Sequence, residues 1–164
     1  MRSCFFANLI LAVIFSAIAN GQSVRTIEEF GQPVQELRVG NTVVKLAPAA
    51  GANVYSIRID DVEFVHQPAS AERLPGVSCG VPILYPTPNR VRNGKFTFAE
   101  EIVEFPIRKN QRWHIHGLLN RHPWKLLKSE QRDDVASVTC FADFSEGTEL
   151  HELFPFAHEL IVTI

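Results

Sequence analysis

A chain of 164 residues, 46% apolar and 21% charged, can bury one real core and is too short for two ordinary domains. Its formal net charge of −2 supplies neither a basic field for nucleic acid nor an acidic solvating tail. Twelve Phe and ten Pro against one Met suit strands punctuated by turns better than helices.

The chain opens with Met1-Arg2 and an apolar run from Phe5 to Ile18, interrupted only by Asn8 and Ser16. That run falls short of the roughly 20 residues a spanning helix needs. Ala17-Ile18-Ala19 and Ala19-Asn20-Gly21 both offer small-x-small cleavage patterns. We therefore expect a cleavable signal peptide over 1–21, export to the periplasm or medium, and no membrane attachment of the mature chain 22–164. Cys4 leaves with that leader. Cys79 and Cys140 remain, and the sequence leaves open whether they pair or stay as buried thiols.

Gln22 to Gln35 reads as a polar lead-in. Val43 to Leu46 is a short strand closed by Pro48 and Gly51. Asn53 to Ile59 alternates, with Tyr55, Ile57 and Ile59 on one face and Ser56, Arg58 and Asp60 on the other, as a half-buried strand does. Asp60-Asp61 turns the chain into Val62 to Val65 as a hairpin. A polar loop, Gln67 to Pro75, leads to Gly76–Arg92, where Gly and Pro spacing forbids a helix; it reads as a buried strand, Val81 to Tyr85, running into an irregular loop. Lys95 to Phe98, Ile102 to Ile107 and Trp113 to Leu119 continue the strand pattern. Lys125 to Lys128 and Val135 to Phe144 form a hairpin around the charged turn Glu130 to Asp134, and Leu160 to Ile164 alternates again. Many short strands between turns, with no helix, repeat or linker, predict an all-β antiparallel sandwich or barrel. Because the last residues are apolar and alternating, and domains usually end in polar, loosely held residues, we expect the sandwich to be incomplete, with self-association as a consequence.

Three groupings could carry chemistry. Pro86-Thr87-Pro88-Asn89-Arg90 presents a guanidinium fork and an amide on a stiffened loop, suited to vicinal hydroxyls or a carboxylate, or simply an exposed surface loop. Trp113-His114-Ile115-His116-Gly117 sets two histidines on one strand face, with Gly117 permitting close approach. They could hold a metal with His122, as in a cupin-like site, bind neutrally by hydrogen bonds, or be structural. A cupin-like site would want a carboxylate shortly after the second His, and Asn120 and Arg121 stand there, so no metal is expected. Tyr85, Trp113 and Trp124 could stack sugar rings or fill the core. Glu100, Glu101 and Glu104 read as a solvated face.

Taken in order, Gly80-Val81-Pro82-Ile83-Leu84-Tyr85-Pro86-Thr87-Pro88-Asn89-Arg90-Val91-Arg92-Asn93-Gly94-Lys95-Phe96 resembles the Asn-Arg-(Ile/Val)-x-x-Gly-x-Phe segment of aldose 1-epimerases (galactose mutarotases). His116-Gly117 and Trp124 are similar to that family's His-Gly and following Trp. Phe154-Pro155-Phe156 and Leu160 to Ile164 resemble the strand before its catalytic histidine. The resemblance implies the N-terminal portion of a galactose mutarotase-like β-sandwich over 22–164. It implies a cofactor-free isomerase that interconverts α and β anomers of a hexose such as glucose or galactose. It implies that Asn89, Arg90 and His116 hold sugar hydroxyls, and that the acid His and base Glu lie beyond Ile164, so that no catalytic residue is assigned here. Leu118 stands where the family often has a second Gly. A non-catalytic exported carbohydrate-binding module is the alternative.

Overall fold

The computed structural model describes residues 21–164; the expected leader, Gly21 apart, lies outside them. Five antiparallel strands form a meander in chain order: β1 (Ser23–Glu29), β2 (Gln32–Val39), β3 (Thr42–Ala47), β4 (Asn53–Ile59) and β5 (Val62–Glu63). The polar lead-in is thus a strand hairpin. Phe30 and Gly31 both take positive φ at its turn, and its polar residues find partners across strands. Arg25 Nη2 donates to Glu36 Oε1 at 2.7 Å, and Gln35 Nε2 donates to Thr26 Oγ1 at 2.9 Å. Asp60-Asp61 makes the expected turn, joining the Ile59–Val62 pair.

A second sheet runs β10 (Lys125–Arg132), β11 (Val135–Asp143) and β12 (Glu159–Thr163), all antiparallel, with β12 at the edge among the described residues. Between the sheets in sequence lie two hairpin-sized pairs: β6 (Val91–Arg92) with β9 (Trp113–His114), and β7 (Lys95–Phe98) with β8 (Glu101–Glu104). The only α-helical element among the described residues is a short turn, α1 (Glu149–Leu153), capped by the Thr148 side chain.

β2 packs on β11, and β1 on β10 and β11, so the two sheets enclose one core. Period-2 burial on β11 puts Val138, Cys140 and Ala142 inside, meeting Leu37, Leu46 and Val54 from the first sheet; the alternation is what a face packed against another sheet requires. A smaller cluster, Val34, Ala47, Ala50, Tyr55 and Leu74, lies on the other face of the meander.

Three expectations need correction. β4 is buried on both faces from Asn53 to Ser56, because the loop 74–79 covers its far side, tied there by Asn53 Nδ2 to the carbonyls of Leu74 (2.9 Å) and Cys79 (3.2 Å). A bulge, where Lys45 pairs Ser56 but Leu46 pairs Val54, separates Tyr55 from Ile57: Tyr55 joins the smaller cluster and Ile57 packs on the main one. Val81 to Tyr85 is not a strand. Only Val81 bridges Val54, and Val81 is 50% exposed, since Pro82 and Pro86 supply no ladder donors. Strand pairing over Trp113 to Leu119 stops at His114. Cys79 and Cys140 are both free and buried.

Candidate functional site

Two loops meet beside the β6–β9 pair. Val91 pairs with His114 and Arg92 with Trp113, so the Asn89-Arg90 loop enters this ladder at the end where the His116-Gly117 turn leaves it. A second tie fixes the approach. The carbonyl of Tyr85 accepts from the Leu118 N–H at 2.7 Å and the Leu119 N–H at 3.3 Å. Gly117 lies so close that a Cβ there would stand 2.2 Å from the Tyr85 oxygen, and its φ is +64°. Only glycine meets both demands. This is the physical reason for the His-Gly pair in this sequence.

His116 itself sits at φ +70°, a left-handed conformation that only a few per cent of non-glycine residues adopt, Asn, Asp and His most often. The turn is held by Asn120, buried, whose Nδ2 donates to the His116 carbonyl at 2.6 Å. His114 and His116 therefore do not share a strand face; the left-handed residue turns the second imidazole away from the β9 direction. The His116 ring is half-buried.

Asn89 and Arg90 are exposed. The Asn89 Oδ1 accepts from the Arg90 backbone N–H at 2.8 Å, a local bond that orients the amide with its NH2 outward. The Arg90 guanidinium lies over the Trp113 indole, 5.5 Å from the ring centroid, a cation–π contact that holds the fork at the rim. A cavity of about 570 Å³ opens there, lined by Arg90, Arg92, Asn93, Arg112 and Trp113. A smaller one of about 320 Å³ shares the Trp113 wall and reaches His114, Gly117 and Asn120.

The other candidates go elsewhere. His114 Nδ1 faces the Pro106 carbonyl at 2.9 Å and Nε2 the Gly117 carbonyl at 3.0 Å. Both ring nitrogens thus face backbone carbonyls, and the ring ties the Pro106 segment to the Gly117 turn. His122 is half-buried and its pKa is lowered by that burial, against the pull of Glu149. Tyr85 is core: its ring meets Phe144 and Phe154 edge-on, and its hydroxyl lies 2.8 Å from His158 Nε2. His158 in turn stacks on Phe144 and places Nδ1 2.5 Å from the Phe156 carbonyl. Since a carbonyl only accepts, Nδ1 carries the proton and Nε2 accepts from Tyr85. Trp124 is buried, its Nε1 donating to Leu119 O at 3.3 Å. Of the three aromatics, Trp113 alone faces the cavity, 37% exposed. Sequence reasoning missed Arg92 and Arg112. The alternation Arg90-Val91-Arg92 signals the first, while Arg112 comes alongside only through the β6–β9 register.

Comparison with known proteins gives this geometry a context. A galactose mutarotase-like protein from Clostridium acetobutylicum superimposes with a TM-score of 0.78 at 20% identity, covering 87% of this chain and 44% of its own. The Slr1438 protein from Synechocystis gives a TM-score of 0.60 at 20% identity, covering 86% of this chain and 43% of its own. A galactose 1-epimerase from Lactobacillus acidophilus gives 0.53 at 19% identity, covering 76% and 39%. At such identities the likeness establishes the galactose mutarotase-like sandwich fold, and the chain spans less than half the length of these relatives. No curated protein matches the sequence. The profile of the aldose 1-epimerases matches residues 33–164, which takes in both loops of the site and the whole sandwich from the second residue of β2 onward. This chain belongs to the aldose 1-epimerase family.

Proposed function

We propose that this chain supplies the substrate-holding part of a mutarotase acting on a hexose such as glucose or galactose, in an exported protein. The carrying observation is that the β6–β9 pair and the Tyr85–Leu118 bond bring the Asn89-Arg90 loop and the His116-Gly117 turn alongside one another, next to a cavity that Arg90 lines and that Asn89 and His116 do not. Asn89 NH2, the Arg90 fork and the His116 ring would hold sugar hydroxyls, with Trp113 as an apolar wall.

Ring opening then requires a base to take the proton of the anomeric hydroxyl and an acid to protonate the ring oxygen. The exocyclic C–O becomes a carbonyl as the ring C–O bond breaks, and closure on the other carbonyl face gives the other anomer. The Asn89, Arg90 and His116 groups bind; they raise the rate only through contacts that strengthen in the transition state. The cavity lined by Arg90, Arg92, Asn93, Arg112 and Trp113 carries no carboxylate, an observation that favours the second reading, a carbohydrate-binding module without catalysis.

Polarimetry of freshly dissolved α-glucose or α-galactose, beside binding measured by calorimetry, separates them. Weak aldose binding by the 164-residue chain, lost in Arg90→Ala and His116→Ala, with no acceleration, is expected. A rate proportional to protein concentration and abolished by Arg90→Ala would place the acid and base within this chain. No binding of any aldose would overturn both readings.

A further inference from the structure

Beyond a neutral hexose, the geometry points to a ligand with a negative charge. We propose that Arg90, Arg92 and Arg112 form a cradle for an anionic group on the sugar (carboxylate, sulfate or phosphate), so that the preferred ligand is an acidic aldose. This deepens the reading given above, since the same cavity holds the sugar.

The sequence alternation Arg90-Val91-Arg92 sends both guanidinium groups to one side of β6 while Val91 turns inward and packs against the main core. The β6–β9 register then sets Arg92 across from Trp113, with Arg112 next to it. Three guanidinium groups, the Asn93 side chain and the indole line the cavity of about 570 Å³, and all of its charges have one sign. Of the carboxylates close in sequence, Glu104 is used elsewhere. Lys95 takes Glu104 at 3.4 Å, and none of the ion pairs among the described residues includes Arg90, Arg92 or Arg112. Three like charges around one hollow repel one another, and a bound anion removes that repulsion as well as accepting the forked N–H donors. Trp113 adds what a free ion could not use. Its exposed indole gives an apolar face against the C–H side of a ring, so the site suits an anion carried on a sugar better than the anion alone. Neutral hydroxyls would need only the Arg90 fork and the Asn89 and His116 groups; Arg92 and Arg112 have no task in that reading.

The test compares the affinities of the full chain for galactose, galacturonate, galactose 6-phosphate and inorganic phosphate at low and high ionic strength. The expected result is that the two acidic sugars bind about tenfold tighter than galactose at low salt, that inorganic phosphate binds less well than either, and that the advantage shrinks as screening increases. Which acidic sugar binds tighter identifies the anion. Arg112→Gln and Arg92→Gln, both exposed positions, should each reduce the advantage of the acidic sugars over galactose several-fold. Arg112→Lys, which keeps the charge and loses the fork, should retain part of it. Equal affinity for galactose and its acidic forms overturns this proposal and leaves the neutral-sugar reading standing. Inorganic phosphate binding as tightly as galactose 6-phosphate reduces the site to an adventitious ion site and also overturns it. Binding of none of them overturns both.

Discussion

Glycine at position 117 is a single atom group on which the site depends. A methyl there would meet the Tyr85 carbonyl at 2.2 Å and sit at φ +64°, and both faults push the turn off Tyr85. We expect Gly117→Ala to cost about 1–3 kcal/mol in urea unfolding and to weaken aldose binding, because Leu118 and Leu119 can no longer both reach the Tyr85 oxygen. The neighbouring His116 carries its own left-handed strain, held by Asn120. Strain of that size persists only where the surroundings over-determine it, and the sequence shows the His-Gly pair without showing the carbonyl that dictates it. That carbonyl belongs to a residue remote in sequence. For the same reason the alternation through Ile115 misleads: it continues on paper past the point where the backbone turns.

At the scale of the element, β1 is held less by apolar burial than by polar ties to its neighbours. Glu29 is bonded to the Lys45 ammonium and accepts from the Tyr55 hydroxyl at 2.7 Å. Burial alone would raise the Glu29 pKa, but the Lys45 and Tyr55 bonds outweigh it and leave the carboxyl below its usual value, while burial and that same carboxylate push the Tyr55 hydroxyl up. A carboxyl titrating lower in the folded chain than in the unfolded one stabilises the fold fully above the unfolded value, about 4.3, and loses that stabilisation as pH falls through the folded value. Glu29→Gln should therefore lower stability by about 1 kcal/mol at pH 7, a figure discounted for partial exposure. The difference from the parent should vanish as the pH falls well below 4, read by thermal unfolding across pH. These cross-strand partners also explain why β1 and β2 were illegible. Gln35 and Glu36 look like loop residues by composition, yet both are buried, and their partners Thr26 and Arg25 come from the paired strand. In contrast β3, β7, β11 and β12 announce themselves, since their apolar alternation depends only on which face meets the core.

At the scale of the whole molecule, β12 is the outer strand of the second sheet among the described residues, and Ile161 on its outward face is 53% exposed. Leu160 and Val162, opposite Ala142 and Cys140, turn inward. An edge of this kind, with Glu159 its only charge, is a template for another strand. We expect concentration-dependent self-association in sedimentation velocity, reduced by Ile161→Lys without loss of stability. If Ile161→Lys leaves association unchanged, the contact lies on another face. Fold class could be stated from the sequence because it rests on local pattern, and Asn89, Arg90 and His116 could be singled out as candidates because they rest on motif. The basic cradle could not, because it is a product of register.

The ladder that brings the two loops together is only two residue pairs long, Val91–His114 and Arg92–Trp113, while β1–β2 and β10–β11 are each joined by seven. Cooperative opening follows the weakest ladder first. The candidate site can therefore come apart and re-form while both sheets stay intact, and its amides should exchange with deuterium on a separate, faster clock. The N–H groups of Asn93 and Leu118, bonded to Arg112 O and Tyr85 O, should label well before those of Val138 and Cys140. A saturating sugar should slow the first pair and leave the second unchanged, so that affinity for ligand is read directly as protection of a clasp.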